Sequence, residues 1–134
     1  MVTFVVGTKN ADTSERILDY LQGRITDGDS VYVVNSQEGG DETSSDEIRG
    51  GSKAIEVLAE GLPVPVEAHQ FVRGNDPAED ILAAAEEYDA DEIVIGIRRR
   101  NPTGKIIFGS NAQDILLSSE RPVVAVPLTD GQAQ

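Results

Sequence analysis

The chain contains no cysteine, no tryptophan and one histidine, His69. Without cysteine there is no disulfide framework and no thiolate chemistry. One histidine without a cysteine excludes the usual nucleophile–base triads, and no side-chain cluster has metal-ligand spacing. His69 therefore reads as a strand surface residue. No stretch of 18 apolar residues exists to span a membrane. The start, Met1-Val2-Thr3-Phe4-Val5-Val6, lacks the charged region and cleavage site of a signal peptide. The expectation is a single cytoplasmic domain, not an enzyme, with no membrane partner. Six phenylalanine and tyrosine rings are too few to stack a flavin or to build a nucleic-acid platform. Lysine is scarce too, at Lys9, Lys53 and Lys105 only.

Acid is abundant. The formal net charge is −13, with carboxylates spread along the chain. That field has the wrong sign for nucleic acid. A surface of this kind repels itself in dilute salt and relaxes when charge is screened, which implies a high-salt cytoplasm.

Short β-branched runs alternate with helical stripes. Val2–Val6, Ser30–Asn35, Val64–Val72, Glu92–Ile95 and Pro122–Pro127 read as strands. Between them, Asp12-Thr13-Ser14-Glu15, Ser44-Ser45-Asp46-Glu47 and Asp76-Pro77-Ala78-Glu79 are helix-start patterns. Ser36–Ser45 reads as a polar surface loop. Gly50-Gly51 weakens the first turns of the second helix by roughly 1 kcal/mol each relative to alanine, which either close packing against the sheet or fraying would explain. Alternation of this kind predicts an α/β fold: one doubly wound, five-stranded parallel sheet with helices on both faces. Pro65 suits only an edge strand or a strand start; with the third strand placed at an edge, the order is 3-2-1-4-5. The sheet then reverses between strands one and four, and ligands of such sheets bind beyond the strand C-termini at that point. Residues 1–127 form the domain and 128–134 a loose tail.

The loop after strand four lies at that reversal. It holds Arg98, Arg99, Arg100 and Lys105, four of the chain's 11 basic residues within eight positions. The helix behind it opens Gly109-Ser110-Asn111-Ala112-Gln113 and meets no acid until Asp114. The other three helices begin with carboxylates that satisfy their own positive ends. An empty helix N-terminus beside a basic cluster suits an anion, a phosphate above all. Gly109 allows close backbone approach, Ser110 can donate a hydroxyl, and Gly96 gives clearance at the strand end. The bland alternatives are a plain Gly-Ser cap, and an arginine run that is either a solvated loop or a partner for acids on a second subunit.

These residues carry a resemblance. Gly96-Ile97-Arg98-Arg99, nine residues, then Gly109-Ser110 resembles the motif Gly-x-x-Gly, nine residues, Gly-Ser/Thr of the universal stress protein family. Asp76–Glu79, Ala90–Gly96 and Pro122–Pro127 are similar to the family's flanking phrases. The resemblance implies an adenine nucleotide alpha hydrolase-like fold and binding of ATP or a related adenine nucleotide in the reversal cleft. By position, Ile95, Gly96, Arg98 and Arg99 would face ribose and phosphates. Gly109, Ser110, Asn111 and Ala112 would contact phosphate, and Val33 would meet the adenine through its backbone. Mg2+ would enter only on bound phosphates, and the last strand would pair two copies in a homodimer. Two positions depart from the pattern. Arg99 replaces the second motif glycine, and the aspartate usual at the end of strand one is Gly7, or Thr8 after a one-residue shift. The second departure weakens nucleoside recognition more than phosphate affinity. Asp12, the nearest acid, reads as the cap of its own helix. A stress protein that acts only through dimer or partner contacts, without nucleotide, is the alternative. A receiver domain would need acids after strand one. A phosphate-loop reading of Thr103-Gly104-Lys105 fails at Arg100 and Ile106.

Overall fold

A computed structural model describes residues 1–36, 45–71, 76–97 and 110–128, apart from the Ser110 side chain. The elements run β1 (Thr3–Gly7), α1 (Ala11–Gln22), β2 (Ser30–Ser36), α2 (Ser45–Gly61), β3 (Val66–Phe71), α3 (Pro77–Glu87), β4 (Glu92–Ile97), α4 (Ser110–Ser118) and β5 (Val123–Pro127). All pairings are parallel, in the order β3-β2-β1-β4-β5. The expected topology and the edge position of β3 are therefore observed.

Alternation along the strands separates two cores. Phe4 and Val6 of β1 face α1 and α2, where they pack with Val31, Val33, Ile17, Leu21 and Leu58. Val5 faces the other way, with Val34, Ile93, Ile95, Ile81, Ala85 and Ile115 under α3 and α4. Removal of a Phe4-sized side chain from water contributes roughly 1.5–3 kcal/mol. β1 is buried on both faces, which explains its unbroken apolar run.

The N-terminal ends of the strands are tied by charge. Arg24 grips Glu92 with two bonds, 3.0 and 2.8 Å, and its guanidinium lies 5.5 Å from the Phe4 ring centroid. Tyr20 donates to the same carboxylate and also contacts Arg24. Burial and Glu92 raise the Tyr20 hydroxyl pKa. Asp29 accepts from the backbone N–H of Thr26 and Val2, at 3.0 and 2.9 Å, and those bonds hold its carboxyl pKa below the ordinary value. Asp91 accepts from Thr3 N–H at 2.8 Å. Each contact fixes where a strand begins, at the end of the sheet remote from the reversal.

Three sequence expectations change. The cap of α1 is Asn10, whose side chain accepts from Thr13 N–H at 2.9 Å; Asp12 lies in the first turn instead. Asn at that position competes well with Asp because its amide oxygen reaches the same donor. Leu128 departs from the expectation of a loose tail from that residue onward. Leu128 is buried and donates its N–H to the Ile97 carbonyl at 2.8 Å, which extends the β5 pairing by one step. Val64 and Pro65 precede the third strand rather than belonging to it. Ser44 and most of the Ser36–Ser45 loop, Val72, and the tail from 129 onward lie outside the described residues. Among the described residues, no helix is long and apolar enough to cross a membrane.

Candidate functional site

The reversal point lies where β1 and β4 run side by side, with Gly7 opposite Ile95. Two sets of side chains meet there, one on each face of the sheet.

On the α1/α2 face a buried polar network holds the turn after β1. Thr8 N–H donates to the Val34 carbonyl at 3.1 Å, one step past the strand. Ser14 Oγ donates to the Ala54 carbonyl at 2.8 Å, so the 2.7 Å contact between Thr8 Oγ1 and Ser14 Oγ has Thr8 as donor. Asn35, fully buried at the end of β2, donates its amide to the carbonyls of Thr8 and Lys9, at 2.9 and 3.3 Å. Its oxygen accepts from Gln70 of β3 at 3.2 Å, and Gln70 also donates to the Ile48 carbonyl at 2.8 Å. Buried polar groups this well partnered fix geometry. Here they set the path of residues 8–10 on the β1 side of the reversal.

Gly51 belongs to this network by lacking a side chain. A Cβ there would stand 2.1 Å from Asn35 Oδ1 and 2.4 Å from Gln70 Nε2, whereas at Gly50 it would meet nothing within 4 Å among the described residues. The two readings of the glycine pair thus separate: Gly51 permits close packing, and Gly50 makes no such contact. Sequence reading did not assign Asn35, Ser14 or Gln70. A polar residue closing the apolar run of strand two was the available signal for Asn35.

On the α3/α4 face the floor is hydrocarbon. A Cβ on Gly7 would lie 2.4 Å from Ile81 Cδ1 and 3.5 Å from Ile95 Cγ2. The place where the resemblance looks for an aspartate is therefore occupied by a methyl group. Beside it, Ser36 Oγ donates to Asp80 Oδ2 at 2.6 Å and joins the end of β2 to the first turn of α3.

The expected site residues distribute as follows. Thr8 is buried and engaged in the polar network. Val33 is completely buried with its side chain in the α1/α2 core, three residues before the end of β2. Ile95 is buried in the opposite core. The space left by Gly96 is taken by the protein itself, with Thr13 Cγ2 at 2.9 Å and Leu128 Cδ2 at 3.3 Å from a Cβ placed there. Ser110, Asn111 and Ala112 form the first turn of α4, and Ala112 packs against the core that contains Ile81 and Ile95. The structure thus brings Ile95 and Ala112 to one core at the reversal. Arg98, Arg99, Arg100, Lys105 and Gly109 lie outside the described residues.

The electrostatic contrast among helix starts is present in the fold. The first turn of α1 holds Asp12, that of α2 holds Asp46 and Glu47, and that of α3 holds Glu79 and Asp80 behind the Asp76 cap. The first turn of α4 holds no acid. Among the described residues, no group of three histidine, aspartate or glutamate side chains is placed to hold a metal ion.

Comparison with known proteins agrees with this architecture. Residues 1–127 match the universal stress protein family. A universal stress protein of Mycolicibacterium smegmatis is 40% identical over 97 residues, 72% of this chain and 74% of its own. The structure of a universal stress protein from Archaeoglobus fulgidus is similar with a TM-score of 0.69 and 36% identity, covering 94% of this chain and 98% of the other. A universal stress protein from the same organism in complex with dAMP is similar with a TM-score of 0.64 and 31% identity, at the same coverage. From a match along nearly its whole length, the sheet order and these relatives, the chain belongs to the universal stress protein family.

Proposed function

We propose that the protein is a small cytoplasmic regulator that binds an adenine nucleotide by its phosphate at the start of α4, beside the β1–β4 reversal. One observation carries the reading. In a chain of net charge −13, the first turn of α4 alone among the described helices has no carboxylate. Its N–H groups and positive end are the complement of an anion. The Archaeoglobus fulgidus relative in complex with dAMP supports the adenine nucleotide as the form of that anion.

In this reading Gly109, Ser110, Asn111 and Ala112 hold the phosphates, and Arg98 and Arg99 neutralise them. Thr8, Ile95 and Gly96 line the cleft. ATP is the nucleotide expected, with Mg2+ carried only by its phosphates. The methyl of Ile81 against Gly7 leaves no acid there to recognise the nucleoside, so affinity comes mainly from phosphate. Occupancy, not catalysis, is the output: it biases contacts with a partner, or across a homodimer paired through β5. That strand is a sheet edge, with Val123, Val124 and Ala125 only half-buried.

Equilibrium dialysis of ATP, AMP, dAMP and inorganic phosphate, in molar KCl, tests this. Saturable binding that Gly109→Val abolishes is expected. Absence of binding by every ligand, or wild-type affinity in the variant, would overturn the reading in favour of a stress protein that acts through partner contacts alone.

A further inference from the structure

The second sheet edge carries a surface that the nucleotide reading leaves unused. On the α3 side of β3, Glu67 stands beside Tyr32, His69 beside Val34, and Phe71 beside Ser36. The α3 helix packs over β1 and β2, and Glu67 and His69 stay exposed. Tyr88, at the C-terminal cap of α3, stacks on Tyr32 with ring centroids 4.1 Å apart and 27° between planes. His69 and Phe71 pair at 4.2 Å. Three of the six phenylalanine and tyrosine rings and the only histidine thus gather at one edge of a chain poor in aromatics. Glu67 and Glu87 border them, near enough to act on the Tyr88 hydroxyl.

We propose that this face docks an extended polypeptide segment with arginine at alternate positions, added alongside β3. β3 is an edge strand with no pairing partner on its outer side among the described residues, and a strand laid against such an edge presents every second side chain to the same face. Guanidinium groups stack on tyrosine and phenylalanine rings and bond carboxylates at their rims, a combination that lysine reproduces poorly. The local charge favours a cation: partial burial, Tyr32 and the two glutamates push the Tyr88 hydroxyl up to about 12. A second copy of this chain is the weaker occupant, because two such acidic faces would repel each other.

The absence of tryptophan lets tyrosine emission report binding directly. The probe is a short peptide of alternating arginine and threonine, titrated into the full chain at moderate salt. Matched peptides carry lysine or glutamate in place of arginine. The arginine peptide should quench tyrosine emission saturably and bind at least about threefold more tightly than the lysine peptide. Glu67→Lys should abolish the titration, and Tyr88→Ala should weaken it, while circular dichroism and melting confirm folded variants. Should Tyr88→Ala disturb the α3 cap, His69→Ala serves in its place. Equal binding by both cationic peptides, or full affinity in Glu67→Lys, would overturn the proposal as mere attraction to an acidic surface. A Tyr88-dependent doubling of mass in sedimentation, with no peptide binding, would assign the face to self-association and overturn it as well.

Discussion

Two neighbouring glycines in α2 should respond to alanine with opposite signs. In a helix interior, Gly→Ala stabilises by about 1 kcal/mol when nothing else changes. At Gly50 nothing among the described residues lies within 4 Å of the new methyl, so that gain should appear nearly whole. At Gly51 the methyl would stand 2.1 Å from Asn35 Oδ1 and 2.8 Å from Asn35 Cγ. Asn35 is fully buried and cannot swing into solvent. Its displacement breaks the bonds to the Thr8 and Lys9 carbonyls and to Gln70. One buried polar group left unsatisfied costs about 1–3 kcal/mol, and overpacking adds roughly 1–3 kcal/mol. After subtraction of the helix gain, Gly51→Ala should be destabilised by roughly 1–5 kcal/mol. Urea denaturation followed by circular dichroism measures both variants. At about 4 °C per kcal/mol, the two melting temperatures should move apart by 8 °C or more, a separation of about 2 kcal/mol. Equal stabilisation of both variants would refute the claim that Gly51 exists to seat Asn35.

Three further outcomes follow from the same geometry. Gly7→Asp alone should lower the melting temperature, because its side chain meets Ile81 Cδ1; paired with Ile81→Ala it should fold and bind AMP more tightly than wild type, and unchanged AMP affinity in the pair would remove the account of weak nucleoside recognition. The Asp29 carboxyl has a folded pKa below its unfolded value, so its contribution is present above about pH 4 and lost as pH falls through the folded pKa. Asp29→Asn should flatten that acid limb of the stability curve, and an identical pH profile would argue against the two backbone bonds. Salt reduced from molar to tens of millimolar should lower the melting temperature through self-repulsion; the relatives lend the high-salt reading no support, and an unchanged melting curve would dispose of it.

Much of the fold was legible because its signals are local. Five β-branched runs and the helix stripes led to the expected sheet order, and the observed order agrees, although Pro65 lies just before β3 rather than in it. What escaped was settled by partners distant in sequence. Asn35 is 27 residues from Thr8 and 35 from Gln70, so no spacing rule announces their network. Asp12 looked like a cap because capping patterns are frequent, but Asn10 caps the helix two residues earlier by accepting from Thr13 N–H. Gly96 looked like clearance for a guest; Thr13 and Leu128, from opposite ends of the chain, use that space. Of the candidate site, the acid-free start of α4 was readable in the sequence and stands in the fold. The methyl at Gly7 was not, because Ile81 arrives from a different crossover.

Amide chemical shifts of isotope-labelled protein, titrated with dAMP in molar KCl, bear most directly on where the ligand sits. The account predicts saturable changes that are largest at the N–H groups of Ser110, Asn111 and Ala112, with smaller ones at Thr8 and Gly96. Saturable changes centred elsewhere, with those three amides unmoved, would contradict it.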